Sequence, residues 1–212
     1  MFRMDSRFMQ FLGRVMDLVI LNLCFIVSCL PVITAGAGLT ALYSINLKMV
    51  RNEEAYVFKD FWKSFKSNFK QSTLLWLLFL LVGFVLFVDY KVIPTMPTDM
   101  SKVFQVAWIV LLFLYFLMMT YVFPYIARFE DKQKIVLKNA FLMGASHIGY
   151  SLLMMAIPAV AIVITIYNLA SLLVMVFLWI LLGFSLISFV NSFFLRKIFG
   201  KYEGSNELQG VE

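Results

Sequence analysis

Charge is scarce in this sequence. Asp, Glu, Lys and Arg make up 14% of its 212 residues, where a soluble domain carries about a quarter. Cysteine is scarcer still: Cys24 and Cys29 stand five apart, a spacing that fits no zinc, haem or CxxC redox motif. The single histidine, His147, has no serine and acid arranged around it in the manner of a triad, and no GxGxxG, Walker A, HExxH or GxSxG motif occurs. No enzymatic site is therefore legible, and no cofactor or metal ligand set is predicted. The ten-residue apolar/polar alternation of a membrane β-barrel is also missing.

What fills the space is hydrocarbon. Hydrophobic residues reach 62% and the mean hydropathy is +0.89, more apolar surface than a soluble fold can hide. It is gathered into runs near the length of about 20 residues that a bilayer-crossing helix needs. Lipid leaves the backbone of such runs only the helix. The fold class is thus all-α: a polytopic membrane helical bundle of about six transmembrane segments, at 15–33, 39–50, 73–90, 103–127, 140–166 and 169–195. The second is short enough for a re-entrant helix to remain open.

Eighteen Lys and Arg against twelve Asp and Glu give a net charge of +6. A basic balance can point to nucleic acid, but here the basic residues lie in the short links between runs, so no nucleic-acid partner is predicted. Arg3, Arg7 and Arg14 precede the first run; Lys48 and Arg51 follow the second; Arg128, Lys132, Lys134 and Lys138 follow the fourth; Arg196, Lys197 and Lys201 follow the sixth. The links at Lys91 to Lys102 and at Tyr167 to Asn168 carry little positive charge. The positive-inside rule then places both termini in the cytoplasm of a multi-pass membrane protein. The first run, with Ala35-Gly36-Ala37 behind it, could pass for a cleaved signal; the further spans that follow favour its retention as a helix. Residues 1–203 form a single transmembrane helical domain, and 204–212 read as a disordered cytoplasmic tail.

The most informative segment is a predicted amphipathic cytoplasmic helix over 56–71. Phe58, Phe61, Trp62, Phe65 and Phe69 recur at helical spacing; Lys59, Lys63, Lys66 and Lys70 form a second stripe about 100° away, with Asp60, Ser64, Ser67 and Gln71 behind. Such a helix lies in the membrane interface with its lysines at the phosphates. It serves either as an anchor for the third span or as a docking face for a partner.

Inside the runs, charge is confined to Asp17 and Asp89, both near span ends, which argues against a proton pathway through a midplane carboxylate. Asn22, Thr34, Thr40, Asn46 and Asn191 are the candidate polar intramembrane residues. They could line a solute path or bond helix to helix, and the second is the preferred reading. Gly36, Gly38, Gly144, Gly149 and Gly183 suit close helix approach, and Pro124 and Pro158 interrupt the fourth and fifth spans.

The words Asn22-Leu23, Cys29-Leu30-Pro31-Val32-Ile33-Thr34-Ala35-Gly36-Ala37, Thr40-Ala41-Leu42-Tyr43, Arg51-Asn52-Glu53-Glu54 and Phe61-Trp62-Lys63-Ser64-Phe65-Lys66-Ser67-Asn68-Phe69-Lys70-Gln71 resemble the YesL-like family of bacterial membrane proteins. The wording is confined to about 20–75, while length and span layout agree over most of 5–202. The resemblance implies a small multi-span protein of unassigned activity, often encoded beside carbohydrate ABC-transporter genes, and supplies no catalytic residues. The expected function is a non-enzymatic accessory or interaction component of carbohydrate uptake, with the lipid bilayer and ABC-transporter subunits as partners; the alternative is a small-solute transporter or channel. A permease proper would carry an EAA…G…I.LP loop, and the nearest stretch, Asn139-Ala140 to Gly144 and Ile157-Pro158, lacks the Glu and the spacing. A homo-oligomer is neither predicted nor excluded.

Overall fold

The computed structural model describes residues 7 to 209, and among these every regular element is helical. In chain order these are α1 (Arg7–Cys29), α2 (Ala35–Val50), α3 (Val57–Val92), α4 (Thr98–Arg128), α5 (Gln133–Ser146), α6 (Ile148–Ile166), α7 (Leu169–Leu178) and α8 (Phe184–Gln209). Short 3-10 turns at Val32–Thr34 and Ile93–Thr95 close the α1–α2 and α3–α4 hairpins, and a π-helical turn at Trp179–Gly183 joins α7 to α8. Among the described residues five stretches are long and apolar enough to cross a membrane: Phe8–Cys29, Val57–Thr95, Met100–Arg128, Ile148–Ile166 and Leu169–Tyr202. The molecule is a polytopic helical membrane bundle.

Six segments were expected, and the second is the one that falls out. With 16 residues, α2 is about 24 Å long against a hydrocarbon core of about 30 Å. It is instead the axis of the bundle: ten of its sixteen residues are buried, and α1, α3, α4 and α8 all pack on it. Its sequence begins Ala35-Gly36-Ala37-Gly38 because neighbours come close there. A Cβ at Gly36 would lie 2.5 Å from Trp76 Cβ and 2.6 Å from the Ser72 carbonyl oxygen, and one at Gly38 would collide with Ser28 Oγ.

Two boundaries also differ from expectation. The amphipathic stretch 56–71 is not set apart from the third span but continuous with it: α3 runs unbroken for 36 residues, about 54 Å. The fifth run, read as one span over 140–166, is divided at His147 (φ −122°, ψ 45°) into α5 and α6. The last helix, α8, is described to Gln209, and residues 210–212 of the expected tail lie outside the described residues.

Trp76 marks how the hairpins are staggered. Its indole N–H donates to the Val32 carbonyl at 2.8 Å, so the α1–α2 turn ends beside residue 76 of α3. From there α3 climbs another sixteen residues to Val92, about 24 Å, paired with α4. Trp108 Nε1 donates to the Leu86 carbonyl at 2.8 Å, and Phe79 and Tyr115 meet edge to face at 5.7 Å. The outward side chains of this distal half, among them Leu81, Phe84, Phe87, Val103 and Val106, are apolar and exposed.

Candidate functional site: the basic end of α3 and the polar seam beside α2

The five aromatics of the predicted docking stripe form a ladder of ring contacts: Phe58 to Trp62 at 6.5 Å, Trp62 to Phe61 at 5.5 Å and to Phe65 at 5.4 Å, and Phe65 to Phe69 at 5.5 Å. They do not share one environment. Phe61 is 0% exposed and belongs to a core with Leu21, Phe25 and Ile45, whereas Phe58 is 64% and Phe69 37% exposed. Trp62 and Phe65 are half-buried. The stripe is therefore turned inward at its middle, because the α1–α2 hairpin lies along α3 and takes the central ring. Only the ends of the ladder face outward.

Lys59, Lys63, Lys66 and Lys70 are all exposed. Beside this stripe Asp60 is drawn to α2, where its carboxylate accepts from Lys48 Nζ at 3.0 Å. The turn before α3 is held as well. Asn52 adopts a positive φ of 57°, a conformation Asn tolerates better than most residues. Its Oδ1 accepts from Arg14 Nη2 at 2.7 Å, the Glu53 N–H returns to the Lys48 carbonyl at 3.0 Å, and Arg51 lies 3.7 Å from Glu53.

At the same end of the bundle, an open groove of about 1240 Å³ lies between α3 and the α4–α5 link. Gln71 Nε2 donates across it to the Asp131 carbonyl at 2.7 Å. Asp131 is held from within, since its carboxylate accepts from Tyr125 Oη at 2.5 Å and that hydroxyl accepts from Asn139 Nδ2 at 2.7 Å. Lys70, Arg128, Lys132 and Lys134 line the opening. The sequence displayed Arg128, Lys132 and Lys134 as a topology signal and Lys70 as part of the amphipathic lysine stripe; that α3 and the link would face each other across a groove was carried by no local pattern.

The polar intramembrane residues come together only in part. Asn22 is fully buried and serves the π-helical turn: Nδ2 donates to the carbonyls of Trp179 and Ile180 at 2.9 and 2.7 Å, and Oδ1 accepts the Ser185 N–H at 3.0 Å. A π turn takes backbone groups out of the α-helical register, and one amide on α1 here engages three of them. Asn46 Nδ2 donates to Ser188 Oγ and to the Ser185 carbonyl, and Asn191 Nδ2 reaches the Met154 carbonyl at 3.4 Å. Thr40 pairs with Ser72 at 2.8 Å across the α2–α3 contact. Thr34 lies apart at the α1–α2 turn, where its hydroxyl contacts the Ser28 and Pro31 carbonyls. Asn46 Oδ1 and Asn191 Oδ1 are buried without a hydrogen-bond partner among the described residues. Asn22, Thr40, Asn46 and Asn191 thus each bond from one helix to another. Sequence inspection missed the π turn, which has no compositional mark beyond an apolar run ending in Gly183.

Among the described residues no three His, Cys, Asp or Glu side chains stand together in a way that could hold a metal, and Cys24 and Cys29 are both free thiols.

No solved structure matches the chain. It is similar to the uncharacterized protein YteU of Bacillus subtilis (strain 168), with 27% identity over 153 residues, 71% of this chain and 68% of that protein. Residues 18–90, which comprise half of α1, all of α2 and nearly all of α3, match the family model described as protein of unknown function, DUF624.

Proposed function

We propose that this chain is a non-enzymatic component of the bacterial cell membrane that supports carbohydrate uptake by holding a subunit of an ABC transporter against the exposed part of α3. The observation that carries the reading is the divided aromatic ladder. Phe61 is locked into the core while Phe58 and Phe69 project from the same helix, which gives a rigid platform with apolar anchors and a lysine border. Interfaces draw their binding energy from such anchored aromatics, and a preformed helix face limits the ordering cost of association. The carbohydrate connection rests on the YesL-like resemblance of residues 20–75.

The orientation follows from charge. Lys48, Arg51, Lys59, Lys63, Lys66, Lys70, Arg128 and Lys132 belong to the end of the bundle that holds the α2–α3 and α4–α5 links, while the α1–α2 and α6–α7 turns carry no basic residue. By the positive-inside rule the basic end and both termini face the cytoplasm. The rival reading, a small-solute transporter or channel, would need the amides of Asn22, Asn46 and Asn191 for solute; their N–H groups are engaged between helices instead.

The test is a gentle-detergent pull-down from sugar-grown native membranes with the wild type and with Phe58→Ala/Phe69→Ala, leaving Phe61 intact. Carbohydrate ABC-transporter subunits should co-purify with the wild type and be lost from the inserted variant. Solute flux in liposomes containing the protein alone, with no transporter subunit co-purifying, would overturn the accessory reading in favour of the rival.

A further inference from the structure

We infer that the groove between α3 and the α4–α5 link binds the headgroup of an anionic phospholipid, with the acyl chains laid along α3. This goes beyond the docking reading and does not depend on it, although the two surfaces adjoin: Lys70, next to the Phe69 anchor, lines the groove, whereas Phe58 does not.

Charge supplies the first part of the argument. Of the groove's ionic side chains four are cationic, Lys70, Arg128, Lys132 and Lys134, and two are acidic, Glu130 and Asp131. The Asp131 carboxylate is turned inward to Tyr125 Oη at 2.5 Å, so it does not neutralise the rim. Among the described residues Lys70, Lys132 and Lys134 form no ion pair. Three cationic side chains without an ion-pair partner thus surround about 1240 Å³ of open space whose lining keeps an excess of positive over negative groups, and a phosphate is the group that complements them.

The second part is the wall on the membrane side, which decides between a lipid and a soluble anion. Leu74 and Ile135 line the groove and are exposed. Above Leu74 the same helix presents Leu77, Leu78 and Leu81, also exposed, within the stretch long and apolar enough to cross a membrane. A free phosphate or a phosphorylated loop would use the lysines and leave this strip unused. A phospholipid uses both, headgroup in the basic opening and chains against the leucines, with the lysine stems covering the junction.

The experiment uses the full-length protein, delipidated in detergent and titrated with dioctanoyl phosphatidylglycerol, with bound lipid counted by native mass spectrometry. Dioctanoyl phosphatidylcholine and inorganic phosphate are the comparison ligands. Phosphatidylglycerol should bind in preference to phosphatidylcholine, and millimolar phosphate should not displace it. The Lys70→Gln/Lys132→Gln/Lys134→Gln variant should lose binding by about tenfold or more, while Lys59→Gln/Lys197→Gln/Lys201→Gln, with equal charge removed outside the groove, should not. Conversion of the three groove lysines to Arg should preserve binding, and Leu74→Gln should weaken the lipid; these two variants decide the matter if the Gln variant elutes misfolded. Equal binding of the two lipids, an unchanged groove variant, equal loss in the two Gln triples, or full displacement by phosphate would each overturn the assignment.

Discussion

The backbone N–H of Ser185 donates to Oδ1 of Asn22 at 3.0 Å, joining the first helix of the chain to the last across 163 positions of sequence. The same amide engages the Trp179 and Ile180 carbonyls, so the π turn between α7 and α8 is completed by a side chain of α1. Asn22→Leu would remove all three of these bonds from an apolar interior. Interhelical hydrogen bonds in membrane proteins average about 0.6 kcal/mol each, so the variant should lose about 1–2 kcal/mol. Thermal unfolding in detergent measures this, with Thr34→Val at the α1–α2 turn expected to lose less.

Gly36 tests whether α2 is the axis of the bundle. Any Cβ there meets the Ser72 carbonyl oxygen at 2.6 Å, and backbone cannot move aside as a flexible side chain can. Gly36→Val should therefore force α2 from α3 and cost more than the 1–3 kcal/mol typical of overpacking. Gly149, where a Cβ would meet nothing within 4 Å, provides the contrast: Gly149→Ala should be neutral or stabilising by up to about 1 kcal/mol through helix propensity. The monodisperse yield of each variant after detergent extraction reads both outcomes.

Phe61 and Phe58 are three positions apart and should behave oppositely. Phe61→Ala opens a cavity in the α1–α2–α3 core and should destabilise by about 3–5 kcal/mol. Phe58→Ala, on an exposed ring, should change stability by no more than about 0.5 kcal/mol. A chemical-denaturation series on the two variants checks the contrast. Equal losses would mean that the ladder is buried along its whole length.

The Trp76 to Val32 hydrogen bond sets the depth of the first hairpin. The distal α3–α4 half, about 24 Å beyond it, is apolar on its outer surface and belongs in hydrocarbon, so the Val32 turn should lie within the bilayer rather than at its far surface. Spin labels at Val32→Cys and Thr95→Cys, in a background with Cys24→Ser and Cys29→Ser, report this through relaxation by dissolved oxygen or by an aqueous nickel complex. Val32 should respond mainly to oxygen and Thr95 to nickel. Strong nickel accessibility at both would show that α1 and α2 cross fully.

The sequence alone determined that this chain is a bundle of membrane helices, because apolar runs near 20 residues and the hydrogen-bonding demand of the backbone in lipid are local and compositional. It also displayed the amphipathic Phe58 to Lys70 face and the polar residues Asn22, Thr40 and Asn46, since periodicity and an unexpected amide in an apolar run are visible one residue at a time. Only the tertiary structure decided what each of these faces. Phe61 and Phe58 share a stripe, but the α1–α2 hairpin covers one and leaves the other. Lys70 and Lys132 are separated by most of α3, all of α4 and a turn, and helix pairing alone sets them around one groove. The short run 39–50 reads as a weak span, yet Gly36 and Gly38 just ahead of it admit close neighbours and four helices pack around α2, and burial by neighbours is a pairwise property that no single run of sequence contains.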